Sequence, residues 1–254
     1  EILYRKIYHL DQKPLKAEIN MASGGNTRLY INERNATPSI FNEGARDSIL
    51  LMQTIDISRY LKKGENIIAV WYAPGRIRNK SKQLSLELHG WYTDSVPFYH
   101  KADETWWCKP LKGGCYNEKE HFDNRIYTTE WKSAEYQSSG WVHPTGAFKD
   151  TVNYIFVDQL PYLTQNKLQM VFDHQGCRID FGRPFRGTIR LTIRNASKGT
   201  TLHINGNQYV CSGEMDEQAY YRIHAEHQKD FVITWDKGFR RSNITNIEGL
   251  EISE

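Results

Sequence analysis

Carboxylates, imidazoles, thiols and accessible aromatic rings are the groups through which this 254-residue chain could act. Paired carboxyl groups come first, because cleavage of a glycosidic bond needs one to protonate the leaving oxygen and another to activate water or attack. On a strand, the pattern E-x-D-x-x-E gathers its acids near one cleft face. The nearest run is EMDEQA, where Glu214 and Asp216 fit the first two positions and Ala219 occupies the third. The terminal EGLEISE spaces Glu248, Glu251 and Glu254 by three, which alternates faces on a strand. Neither run assembles a catalytic set, so no residue is assigned a catalytic role.

Other reactive groups are sparser. His224 and His227 in HAEHQ would align on a helix, but their surroundings read as strand or loop, which makes them solvated histidines. No G-x-S-x-G, P-loop or dinucleotide fingerprint occurs. Cys108 and Cys115 lie seven residues apart in WWCKPLKGGC, a spacing that suits neither a redox CxxC nor a zinc knuckle. A local disulfide across that Pro-Gly-Gly loop and buried free thiols both remain open; Cys177 and Cys211 complete the set.

Aromatic residues make up 13% of the chain, with 15 Tyr and 7 Trp. Rings suit pleated strands, and they also suit sugar recognition by stacking, although core packing is the ordinary fate of any one ring. Two adjacent pairs, Trp91-Tyr92 and Trp106-Trp107, send neighbouring rings to opposite faces if extended, so one ring of each pair is a candidate carbohydrate contact. Asp123-Asn124 is an oxygen-ligand pair and the candidate calcium site, well short of the roughly six to eight oxygens that calcium takes. A turn is its simpler role.

The charge balance, 33 basic against 30 acidic residues, demands neither nucleic acid nor a membrane surface. Arg76, Arg78, Lys80 and Lys82 alternate along an extended segment, as on a solvated strand edge. No apolar run approaches ~18 residues, so no membrane span is expected. No signal peptide is expected within these residues, and the opening Glu1 reads as a processed or trimmed end.

The elements that must position these groups are strands. TIRLTIR alternates Ile189, Leu191 and Ile193 with Arg190, Thr192 and Arg194, one face buried and one wet. QLSLELHGWY alternates again through Leu84, Leu86 and Leu88. In TLHINGNQYVC, Asn205-Gly206 predicts a type I′ hairpin. FVITWDKGFRR predicts another around Asp236-Lys237-Gly238. No amphipathic helix exceeds two or three turns. Many short strands joined by polar turns indicate β-sandwiches of ~100 residues each, and the length fits two. The seam is placed at 149–162, within a Ser-, Gly- and Pro-containing stretch of little periodicity. The most organised segment, TIDISRYLKKGENIIAVWY at 54–72, reads as strand, one helical turn and strand. Asp56 or Ser58 caps the turn, Gly64 ends it, and NIIAVWY forms a central strand.

That segment resembles the "I-D-I-S-x-Y-L-K-x-G-E-N-x-I-A-V" phrase of galactose-binding-like sandwiches in glycoside hydrolases. TRLYINERNA before it, and DETWWCKP, EHFDNRI, SSGW, IDFGRPFRGTIRLTI and YVCSGE after it, resemble in their order the motifs of the N-terminal modules of bacterial α-L-rhamnosidases. Glu33 replaces the family's turn glycine, so that hairpin should differ.

The resemblance implies an all-β chain: a galactose-binding-like jelly-roll sandwich over 1–148, a linker at 149–162 and a smaller concanavalin-like sandwich over 163–254. It also implies a non-catalytic accessory region supporting a downstream inverting (α/α)6 barrel of the same polypeptide. Contact with rhamnose-containing oligosaccharide or polysaccharide, calcium-assisted in some modules, and a periplasmic, secreted or cell-surface location belong to the same expectation. The alternative is a stand-alone carbohydrate-binding or cell-surface protein.

Overall fold

The computed structural model describes residues 1–37, 45–46, 49–74, 84–111, 114–116, 119–126, 129–145, 154–156, 162–165, 169–173, 175–221 and 226–252. Among these, strands dominate, four short 3-10 turns punctuate them and no α-helix occurs. The chain is all-β, as its period-two patterning requires. It divides into two compact units, Glu1–Lys112 with Thr129–Gln159, and Gly113–Thr128 with Leu160–Glu254. The second unit therefore takes in the segment 113–128, which lies well before the 149–162 stretch.

The first unit packs two sheets. One runs Trp107–Pro110, Ile2–Leu10, Gly64–Pro74, Gly25–Ile31, Arg34–Asn35. The other runs Tyr154–Phe156, Ile49–Asp56, Lys16–Ser23, Leu84–Trp91, Pro97–Lys101, with Ala45–Arg46 added beside Ile49–Asp56. Alternate residues of both sheets meet in one core. Tyr4, Tyr8, Leu29, Ile68 and Val70 come from the first sheet, and Ile19, Met21, Ile55, Leu86 and Leu88 from the second. The apolar strand NIIAVWY is central, as expected, flanked by Ile2–Leu10 and Gly25–Ile31.

The corner at 54–72 is held by side chains. Asp56 Oδ1 accepts the Ser58 N–H at 2.9 Å, while Ser58 Oγ accepts the Ala17 N–H at 2.9 Å and ties the turn to the neighbouring strand. After the turn Ser58–Tyr60, Gly64 takes φ 87 and opens the next strand. Asn66, 0% exposed, closes the loop. Its Nδ2 donates to the carbonyls of Lys62 (2.7 Å) and Gly64 (2.9 Å), and its Oδ1 accepts from the Lys62 N–H and Asn32 Nδ2, both at 2.9 Å. Asn32 in turn donates to Tyr60 O and accepts the Ile67 N–H. Asn32 and Glu33 form a two-residue turn with φ 48 and 71, joining Ile31 to Arg34. Both central residues are left-handed, as a type I′ turn demands, and Glu33 meets that demand without being glycine.

In the second unit a ten-stranded hydrogen-bonded sheet, among the described residues, runs Gly114–Tyr116, Lys119–Asp123, Asn207–Val210, Thr201–Ile204, Glu226–Trp235, Gly176–Arg194, Ile244–Ile252, Tyr162–Gln165. Gln169–Phe172 and Asp216–Ala219 pair with different ends of Gly176–Arg194. That 19-residue strand shifts register between Asp180 and Phe185, where Gly182 takes φ 81, so its two halves serve different neighbours. Ile189, Leu191 and Ile193 are buried, as their alternation predicts. Phe181, Phe185 and Phe231 meet with centroids 5.4–5.7 Å apart. Asn205 and Gly206 take φ 49 and 80 in the predicted hairpin.

The hairpin expected around Asp236-Lys237-Gly238 does not form. Phe239 N–H donates to Asp236 O in a turn, and the next strand, Ile244–Ile252, pairs with Gly187–Ile193 instead of with Glu226–Trp235. Both sides of Glu226–Trp235 are already taken, by Gly176–Arg194 and Thr201–Ile204. Most of 149–162, and Arg76, Arg78, Lys80 and Lys82, lie outside the described residues. Within 149–162, Tyr154–Phe156 runs parallel to Leu50–Met52. No helix among the described residues is long and apolar enough to cross a membrane.

Candidate functional site

The two tryptophan pairs resolve by strand phase. Trp106 is 2% exposed and belongs to the core, where its Nε1–H donates to Tyr8 Oη at 3.1 Å and the two rings meet edge-on. This corrects Trp106 as a sugar-stacking candidate, because its faces are spent on the core. Trp107 opens the strand Trp107–Pro110 half-buried, its ring 3.9 Å from that of His143. His143 Nδ1 is 2.9 Å from the Trp106 carbonyl, which makes it the protonated donor.

Trp91 is 42% exposed at the end of Leu84–Trp91, on the outer side of the six-stranded sheet. Tyr92 is half-buried and stacks on Phe98 at 5.0 Å. The structure adds Tyr99, 57% exposed on the adjacent strand Pro97–Lys101, whose hydroxyl donates to Glu87 Oε1 at 2.9 Å. That hydrogen bond raises the Tyr99 pKa above its ordinary value. The alternation Pro97, Tyr99, Lys101 after the turn was the signal that could have found it.

Asp123 and Asn124 sit where the strand Lys119–Asp123 enters a 3-10 turn. Asp123 Oδ1 accepts from the Arg125 N–H (3.0 Å) and Nε (2.8 Å), and Oδ2 pairs with Nη2 at 2.6 Å. Those hydrogen bonds hold the carboxyl below its ordinary value. Asn124 Nδ2 donates to Glu217 Oε2 at 2.9 Å. Glu217, 3% exposed and not singled out by sequence, also accepts the Ser212 and Gly213 N–H groups and the Tyr209 hydroxyl. The pair thus fastens a turn to a buried carboxylate. As arranged, it does not fit a calcium ion, whose oxygens would have to be released from these partners first. Among the described residues, no group of three or more His, Cys, Asp or Glu is gathered as a metal would need.

The remaining acids are engaged or dispersed. Asp216 is 3.4 Å from Arg194, Ala219 is buried, and Glu248 pairs with Arg190 at 2.7 Å. Glu251 forms an ion pair with Arg183, and Glu214 is exposed. Glu254, His224 and the Cys115 side chain lie outside the described residues, while His227 is exposed on Glu226–Trp235. Cys108, Cys177 and Cys211 are buried free thiols, and burial pushes Cys177 and Cys211 up to about 11. The Cys108 thiol is therefore not tied in a disulfide.

This strand order and sequence meet a known pattern: residues 12–161 match the family described as Alpha-L-rhamnosidase N-terminal domain. The chain belongs to that family. Similar folds occur in the α-L-rhamnosidase from Dictyoglumus thermophilum, with a TM-score of 0.83, 20% identity, and coverage of 99% of this chain and 32% of that one. The enzyme from Aspergillus terreus matches with a TM-score of 0.81 and 18% identity, over 100% of this chain and 34% of its own. The Streptomyces avermitilis enzyme, complexed with L-rhamnose, gives a TM-score of 0.82 and 18% identity, over 99% and 28%. None of the curated proteins matches the sequence. This rhamnosidase N-terminal module spans about a third of the length of the solved enzymes it resembles. At such identities the likeness is one of fold.

Proposed function

We propose that the chain is a non-catalytic accessory region of an α-L-rhamnosidase-like glycoside hydrolase. It supports a catalytic (α/α)6 barrel further along the same polypeptide, contacts rhamnose-containing glycan, and works in the periplasm, at the cell surface or outside the cell. The observation that carries this reading is coverage. Nearly the whole chain superposes on rhamnosidases, yet it accounts for only about a third of each. The carboxylates support the same view, since Asp216, Glu248 and Glu251 are each spent on an arginine. A retaining or inverting pair would need two carboxyl groups facing one another across a cleft.

The test is direct. Pure chain incubated with an aryl α-L-rhamnoside should release no aryl alcohol above the buffer rate, and turnover that follows protein through purification would sink the non-catalytic reading. Sequencing past Glu254 should find several hundred further residues of helical pattern. A stop codon there would favour a stand-alone carbohydrate-binding protein instead.

A further inference from the structure

Trp91 and Tyr99 share one face of the six-stranded sheet, and the strand register shows what surrounds them. Pro97, Trp91 and Lys16 lie side by side in one row, and Tyr99, His89 and Glu18 in the next. Leu86 and Leu88 alternate inward to the core, so residues 87, 89 and 91 face outward. Trp91 and Tyr99 are thus diagonal neighbours on adjacent strands, about 7–8 Å apart by ordinary sheet geometry. Both are among the exposed large apolar residues of the chain, and Val96 at the connecting turn is a third. The Tyr99 ring is held by its hydroxyl bond to Glu87, and Glu87 faces Asn20 across the next strand pair.

The charges on this face are largely spent internally. Lys16 Nζ is 3.1 Å from Glu18 and 3.7 Å from Asp56, and Lys101 faces Glu87 in register. A phosphate or an acidic polymer finds Lys16 already matched by two carboxylates and Lys101 facing a third across the strand pair. An apolar protein partner would meet two rings standing among polar side chains, where the centre of a protein interface is depleted of charge. A neutral pyranoside fits both features. Its C–H face is apolar and stacks on indole and phenol rings, while its hydroxyl edge reaches fixed acceptors such as Glu87 and Asn20.

We propose that this face, centred on Trp91 and Tyr99, is a binding platform for a neutral oligosaccharide. The assignment rests on the accessory glycan-contacting reading above and gives that contact a place.

The experiment uses the whole chain, titrated calorimetrically with L-rhamnose, α-linked di- and trirhamnosides, and cellohexaose as an unrelated neutral glycan. Saturable binding of at least one probe is expected, weakened about tenfold or more by Trp91→Ala and by Tyr99→Ala. Tyr99→Phe, which keeps the ring, should lose less than about threefold, and Trp107→Ala, on the other sheet, should lose nothing. Unchanged melting curves establish that the exposed-ring variants are folded. Binding that survives both alanine variants would place the glycan elsewhere and overturn this platform, leaving glycan contact intact. No heat with any probe at millimolar concentration would also overturn it, while the scaffolding reading would still stand on the rhamnoside and reading-frame tests. If both variants leave glycan binding unchanged yet weaken cohesion of the longer parent protein, the face is an interdomain contact and the proposal falls.

Discussion

Replacing Asn66 with alanine removes one amide and should destabilise the first unit far more than its size suggests. The side chain is wholly buried and serves four hydrogen bonds, to the Lys62 N–H, the carbonyls of Lys62 and Gly64, and Asn32. Each is worth about 1 kcal/mol net, and a partner left buried and unmade costs about 1–3 kcal/mol. Lys62 is exposed, so water recovers part of the loss at that end, whereas the Asn32 amide keeps its bond to Tyr60 O. The balance is a loss of about 3 kcal/mol. At about 2–4 °C per kcal/mol for a domain of this size, the melting midpoint should fall by about 6–12 °C. Thermal and urea melts followed by tryptophan fluorescence measure it. Asn66→Asp should be no better than alanine, because a carboxylate in place of the amide faces two carbonyl oxygens. Lys63→Ala, exposed on the same loop, should stay within about 0.5 kcal/mol. An alanine variant within about 1 kcal/mol of the parent chain would show that the loop holds itself and that the reasoning is wrong.

Two further substitutions probe backbone and burial. Glu33→Gly should raise stability by about 0.5–1 kcal/mol, since a left-handed non-glycine costs about 1–2 kcal/mol and glycine's extra unfolded freedom returns only part of that. A lower urea midpoint for this variant would contradict it. Glu217→Gln should cost about 2 kcal/mol, because a carboxamide has one oxygen to offer the four donors now shared by two, and its NH2 would confront a donor. Loss of hydrogen-exchange protection at Ser212 and Gly213 should accompany that cost, and unchanged protection would refute it.

Strand periodicity carried most of the architecture. The buried Ile189, Leu191 and Ile193 and the Asn205-Gly206 turn were legible because each depends on local chemistry. What stayed hidden depends on partners distant in sequence. Glu217, Asn66 and Arg5 look like surface residues by type, yet each is buried and hydrogen-bonded. Arg5 reaches the carbonyls of Ser133 and Tyr136, some 130 positions away. Trp106 and Trp107 differ only in phase, which the turn at Asp103 fixes through its bond to the Thr105 N–H and the Trp106 N–H bond to Asp103 O. Tyr99 became a candidate only when the register placed it beside Trp91.

The segment 113–128 makes the two units inseparable by any single cut. His121–Asp123 runs parallel to Gln208–Val210, so the second sheet draws a strand from a point before the first unit is complete. A nascent chain must hold that strand in waiting while more than 80 further residues emerge to meet it. For the same reason, a recombination event at the apparent seam would orphan the strand from its sheet. A fragment that carries the whole second sheet must therefore begin before Gly114, not at the apparent seam.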